Sequence, residues 1–233
     1  MNWEFVNKTF FLVLQGIPTT LFLTVISLLF AIPLAFGIAL ARKNKVAVLD
    51  KVCAVYVSFI RGTPMILQIY VIYNLVPSIL AVVFERLAVN YPIYEVNPIL
   101  YAIIIFSLST AATMSEVVRS ALATVDKGQM EAALSTGLSN SQAYFRIVFP
   151  QALVAAVPNI CTLVVDLIKA TSLAFAMTVQ DITAIAKIEA SSGYNYIEAY
   201  LEIFIIYLIL CSLVEALFKL LEQRLKQYKT AIA

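Results

Sequence analysis

The chain has 233 residues, 62% of them hydrophobic and only 13% charged, with a formal net charge of +2. A soluble domain is about half apolar and about a quarter charged. This composition therefore excludes an ordinary soluble fold and predicts an all-α integral membrane protein. The chain has no histidine, which excludes His-based acid–base catalysis and His metal ligands. Cys53, Cys161 and Cys211 are far apart in apolar surroundings, so neither a metal site nor a disulfide framework is expected.

A helix needs about 20 apolar residues to cross hydrocarbon, and five charge-poor runs meet that length. The start, MNWEFVNKTF, lacks the pattern of a cleaved signal peptide, and residues 1–15 are expected as a segment outside the membrane. Residues 9–41 contain no Asp, Glu, Lys or Arg, and the first span is placed at 18–40. Residues 62–84 form the second span, and a polar, Pro-containing link follows. Residues 96–115 form the third. The fourth runs from about 153 to 177 and is interrupted by Asp166 and Lys169. A second polar link, 180–195, precedes the fifth span at 198–221, and 223–233 form a tail. In the tail Glu215–Lys219 and Glu222–Lys226 have the four-residue spacing that favours a continuing helix. Eleven of the 16 Lys and Arg fall on the side of the first link, the 126–150 stretch and the tail. The positive-inside rule puts that side in the cytoplasm, with the N-terminus outside and the C-terminus inside. Trp3, Tyr91, Tyr94, Tyr194, Tyr196 and Tyr200 lie on the other side and suit an interfacial aromatic belt.

The stretch DKGQMEAALSTGLSNSQAYFRIVFPQAL, residues 126–153, is polar between apolar runs. Asp126 is placed to cap a helix, and Met130 to Leu134 are good helix formers. Gly137 supplies a left-handed stop. Ser139 and Gln142 have capping-box spacing, so a second helix begins at once. Pro150 is expected to close or kink it. Helices this short need a partner surface or the bundle to hold them.

Glu131-Ala132-Ala133, Gly137, Ile147 and Pro150 resemble the EAA loop of ABC importer permeases, with Phe149 standing where the pattern has Leu. Gly16 with Thr20-Leu21, Arg61-Gly62-Thr63-Pro64 with Gln68, Gly128-Gln129, and Pro158-Asn159 followed by Lys169, Thr171, Ser172 and Leu173 extend the resemblance over residues 16–222. The branch resembled is the histidine/glutamine/arginine/cystine permeases, and residues 186–190, AKIEA, look most like cystine permeases. The resemblance implies a type I importer permease fold with five spans in a bacterial plasma membrane. It further implies that residues 126–150 couple to a separate ATPase dimer through Glu131, Ala132, Ala133 and Gly137. The small pair Ala132-Ala133 would permit close approach. A second permease copy or paralogue and an extracytoplasmic amino-acid-binding protein are the other implied partners.

No cofactor is expected in this chain. None of its six glycines has the spacing of a phosphate-binding loop, so ATP and Mg would belong to the partner ATPase. Without a Gly-x-Ser-x-Gly elbow or a metal cluster, an enzyme active site is not expected either. An ion-coupled secondary transporter is the alternative, although the paired repeats common in that class are not visible. Ionisable groups inside a span cost about 2.5–3.5 kcal/mol on insertion scales and usually face the bundle or a wet cavity. Asp166 and Lys169 share a helical face: they either neutralise each other or line a pathway for a zwitterion. Gln68, Thr171 and Ser172 are further pathway candidates or interhelical bonds. Glu116 and Arg119, also three apart, read as a structural charge pair.

Overall fold

The computed structural model describes residues 1–232, with side chains through residue 226. Among the described residues there is no strand. Five segments of the described residues are long and apolar enough to cross a membrane: Trp3–Lys43, Met65–Arg86, Pro98–Ala123, Asn140–Met177 and Tyr196–Lys226. All backbone polar groups must be satisfied within such a segment, which is why apolar runs of this length fold as helices.

The N-terminal residues are more than a flanking segment. Asn2 accepts from the Phe5 amide at 3.1 Å and starts α1, Trp3–Leu14. The chain breaks at Gly16 and continues as α2, Ile17–Lys43. Helix α3, Leu49–Gly62, turns at Thr63-Pro64 into α4, Met65–Tyr70. A π-helical turn, Val71–Leu75, leads into α5, Val76–Arg86. Helix α6, Pro98–Ala123, begins at an Asn97 cap and forms the centre of the bundle, packed chiefly on α2.

The 126–150 stretch folds as two short helices: α7, Lys127–Ser135, and α8, Asn140–Ala143. Pro150 is the point where a close or a kink is expected. The proline does not close the second helix. A π-helical turn, Tyr144–Val148, opens just ahead of it, and the chain runs on as α9, Phe149–Ala170. Proline lacks the N–H that an α-turn would aim at residue 146, and the wider turn accommodates that gap. Pro77 likewise follows a π-turn.

The second polar link also differs from expectation. After a 3-10 turn, Thr171–Met177, and a left-handed Thr178, it folds as α10, Ile182–Ser191, whose inner face is buried. A buried Asp181 caps that helix, and the motif Asp followed by an apolar run was a start signal within the presumed link. Helix α11, Tyr196–Ile232, runs through the fifth span and on past it.

Packing sorts into clusters along the bundle. Leu23, Ile69, Tyr101, Phe106, Leu167 and Met177 fill one end. Ala35, Ala39, Ala121, Ala152 and Ala156 with Met114 and Val118 fill the elbow end. Lipid gives helices no hydrophobic drive to associate, so close van der Waals approach of small residues holds such contacts. Val13, Ile182, Ala186, Ala190, Ala199 and Ile206 join α1, α10 and α11.

Candidate functional site

The elbow is built from local chemistry. Asp126 accepts from the Gly128 amide at 2.6 Å. Gly137 adopts φ +86°, a region that a Cβ disfavours. Both capping-box bonds form: Gln142 N donates to Ser139 Oγ at 3.3 Å, and Ser139 N donates to Gln142 Oε1 at 3.0 Å. Each feature follows from the residue types at that spacing.

The elbow's outer surface carries Glu131, Ala132, Leu134 and Gly137, all exposed. Ala133 departs from the expected pair of small contact residues. It is buried at 7% exposure and faces its own scaffold, so Ala132 alone offers the small outward surface. Phe145, 71% exposed, stands on the same elbow as an unburied aromatic. The elbow is tied to the bundle by Lys43, whose ammonium donates to the Tyr144 hydroxyl and lies 4.4 Å from that ring's centre. The Phe36 and Phe149 rings meet at 5.9 Å.

Glu116 and Arg119 pair as expected, with Arg119 Nη2 2.6 Å from Glu116 Oε2. The structure adds a third member. Arg42, at the end of α2, donates to Glu116 Oε1. One carboxylate thus fastens α2 to α6 beside the elbow, a part that no local spacing reveals.

Helix α9 carries an exposed polar stripe: Asn159, Thr162, Asp166 and Lys169. Their three- and four-residue spacings align them on one face. Asp166 Oδ1 and Lys169 Nζ are 3.5 Å apart, and the side chains are 65% and 59% exposed. With Glu215 and Lys219 of α11 they line an open cleft of about 350 Å³. The Asp166–Lys169 pair therefore forms, but on an open face.

The other pathway candidates are not part of this stripe. The Gln68 amide donates to Ile60 O at 2.9 Å and to Thr63 Oγ1 at 2.8 Å, which binds the α3–α4 corner. Thr171 is fully buried and donates to Ile168 O at 2.6 Å. Ser172 is half-buried on the 3-10 turn.

At the opposite end of the bundle lies a buried polar knot that the sequence did not announce. Asp181 is fully buried; it accepts from the Ala184 amide at 2.8 Å and from the Tyr207 hydroxyl at 3.3 Å. Burial pushes its carboxyl up to about 6. The hydroxyls of Thr20 and Thr183 sit buried without a well-formed hydrogen bond. Nearby, Thr9 donates to Glu202 Oε1 at 2.8 Å, and Asn2 N donates to Glu198 Oε1 at 2.7 Å, docking α1 on α11. Among the described residues no cluster of three or more metal-ligating side chains occurs.

Comparison with known proteins agrees with this architecture. The L-cystine transport system permease protein TcyL of Bacillus subtilis is 36% identical, over 93% of this chain and 88% of that protein. The probable amino-acid permease protein YxeN of the same organism is 37% identical over 99% of both chains. The octopine transport system permease protein OccM of Rhizobium radiobacter is 37% identical over 94% of this chain and 87% of that protein. Among solved structures, a crystal structure of an amino acid ABC transporter with histidines superposes with a TM-score of 0.80 at 25% identity, covering 96% of this chain and 99% of that one. An inward-facing MetNI methionine ABC transporter shares the fold, with a TM-score of 0.72 at 18% identity over 92% and 96% of the two chains. The profile of the binding-protein-dependent transport system inner membrane component matches residues 31–227, and the chain, a multi-pass membrane protein, belongs to that family.

Proposed function

We propose that this chain is the permease subunit of an ATP-driven importer of polar amino acids, with L-cystine the first substrate to test. The observation that carries the reading is the exposed stripe Asn159, Thr162, Asp166 and Lys169 on an otherwise apolar span. Ionised groups at that depth do not face lipid without a penalty of about 2.5–3.5 kcal/mol each. A pathway shared with a second permease copy gives the stripe water, and gives a zwitterion an opposite charge for each of its own. The names of TcyL and YxeN support amino acids as the substrate class, and that of TcyL supports cystine within it.

In this reading the N-terminus faces outward and the elbow faces the cytoplasm of a bacterial cell. An extracytoplasmic binding protein delivers the solute. A separate ATPase dimer engages Glu131, Ala132 and Gly137, with Leu134 and Phe145 as apolar contacts. Residues 1–15 belong to the outer side, 16–222 to the permease domain and 223–233 to a cytoplasmic tail. The Gln68 amide, Thr171 and Ser172 shape the bundle around the path.

The test is uptake of radiolabelled polar amino acids into proteoliposomes holding the assembled complex. Asp166→Asn lowers uptake while the ATPase stays bound. Unchanged uptake in that variant refutes the placement of the pathway. Uptake that collapses with an uncoupler while ATP is held constant favours the ion-coupled alternative.

A further inference from the structure

We propose that the cleft between the 3-10 turn Thr171–Met177 and α10 is a further subsite, separate from the α9 stripe, where Lys187 holds the carboxylate of the transported amino acid; this rests on the permease reading above. The cleft measures about 440 Å³ and is lined by Phe175, Thr178, Gln180, Lys187, Ile188 and Ser191. That lies within the roughly 300–1,000 Å³ of small-molecule clefts, and the mix of an apolar wall with a few polar groups is their usual chemistry.

Three observations point to an anion. Lys187 is the sole charged group on the lining, and its side chain is partly buried. No carboxylate of the described residues pairs with it. Its ammonium instead lies 3.8 Å from the centre of the Phe175 ring, a contact that holds a cation in place without neutralising it. The result is a fixed positive charge above an aromatic floor.

The backbone at the cleft is also non-helical. Thr178 takes φ +61°, and the chain is irregular until α10 begins. The N-terminus of α10 is not the anion site, because the Asp181 side chain already caps it. Lys187, one and a half turns further on, is the available cation. Gln180 and Ser191 flank the cleft with hydrogen-bonding groups. Glu189, two residues from Lys187, points to another face of the helix.

The experiment measures binding to the full chain in lipid nanodiscs, with no binding protein present. The probes are radiolabelled L-cystine, L-arginine and L-glutamine. At least one is expected to bind saturably and to be displaced by its unlabelled form. The decarboxylated analogues cystamine and agmatine are expected not to displace it. Lys187→Gln is expected to weaken binding about tenfold, the scale of a lost charge-assisted contact, and Lys187→Arg to restore it within about threefold. A Lys187→Gln protein that binds as wild type, or displacement by the decarboxylated analogue as effective as by the amino acid, overturns the proposal. So does the absence of saturable binding by a wild-type chain that transports. The underlying permease reading fails differently: the assembled wild-type complex would then show no ATP-dependent uptake of any polar amino acid.

Discussion

Gly16→Ala is expected to loosen the end of the bundle away from the elbow. A Cβ built on Gly16 lies 2.4 Å from Ile182 N, and 2.6 Å from both Asp181 C and Ile182 Cα. Ordinary contacts of this kind begin at 3.4 Å. All three atoms are backbone, so no side chain can swing aside. The α1–α2 corner must move about 1 Å away from the start of α10. Overpacking of this kind costs about 1–3 kcal/mol. Displacing Asp181 from its cap adds about 1 kcal/mol. A total near 3 kcal/mol is a large share of the 5–15 kcal/mol that holds a typical domain. It corresponds to a fall of roughly 6–12 °C in melting temperature for a chain of this size. The assay is thermal unfolding in detergent, followed by fluorescence-detected size exclusion. Gly37→Ala is the control, because its new Cβ meets nothing within 4 Å and should not destabilise. A Gly16→Ala protein melting within 2 °C of wild type, or a Gly37→Ala protein that loses as much, would show that close backbone approach is not why glycine stands at 16.

At the elbow, Gly137→Pro cannot adopt φ +86° and loses the N–H that bonds Leu134 O at 3.0 Å; the bundle should still insert while uptake and transport-stimulated ATP hydrolysis disappear, and normal uptake would refute the elbow assignment. Asp181→Asn should flatten the pH dependence of stability. Because burial raises the Asp181 carboxyl to about 6, the native state favours its neutral form more than the unfolded chain does; the Asp181 contribution to stability is fully present below pH 4 and is lost as pH rises through 6, by about 3 kcal/mol on that shift. Parallel melting profiles of the two proteins from pH 4 to 8 would contradict this. Glu116→Gln should lower stability by about 2 kcal/mol, the scale of a lost charged hydrogen bond, by leaving Arg42 and Arg119 without their shared carboxylate. The double variant with Arg42→Gln should lose less than the sum of the two single variants, and strict additivity would show that the pair does not couple.

The parts legible in the sequence are those whose cause is local. Charge-free runs fix the spans because lipid imposes a length and a polarity on each helix. The elbow's caps at Asp126 and Ser139, and its stop at Gly137, depend on neighbours within three residues. The Asp166–Lys169 pairing follows from helical spacing alone. The hidden parts depend on contacts across the chain. Gly16 looks like a family signature in the sequence, but its physical reason is a backbone 166 residues away. Arg42 meets Glu116 across 74 positions, and Thr9 meets Glu202 across 193. In the sequence α1 and α10 look like a flanking segment and a link, because each is too short to span. Their caps at Asn2 and Asp181 were nonetheless present in the sequence. The inward turn of Ala133 depends on which face of α7 meets the elbow's π-turn, and sequence spacing does not state that.

The π-turn ahead of Pro150 has a mechanical consequence for the proposed coupling. The segment from Asn140 to Met177 is continuous, so the second half of the elbow and the polar stripe of α9 belong to one rod. A displacement of α8 therefore reaches Asp166 without crossing a loop, and α7 with Glu131 joins that rod through the turn at Gly137. The π-turn adds a residue to the rod relative to regular α-geometry, which sets the elbow about 100° around the axis from where an α-helix would place it. Pro150→Ala restores a donor for the carbonyl of Arg146 and removes the reason for the wide turn. Closing that turn to α-geometry should hold or raise thermal stability, since a helical donor is regained. It should also rotate Glu131 and Gly137 away from the ATPase and break the alignment of Lys43 with Tyr144. The expected signature is a protein as stable as wild type whose uptake per ATP hydrolysed falls several-fold. A stable Pro150→Ala permease with wild-type uptake per ATP would show that the elbow's angle on α9 does not carry the stroke.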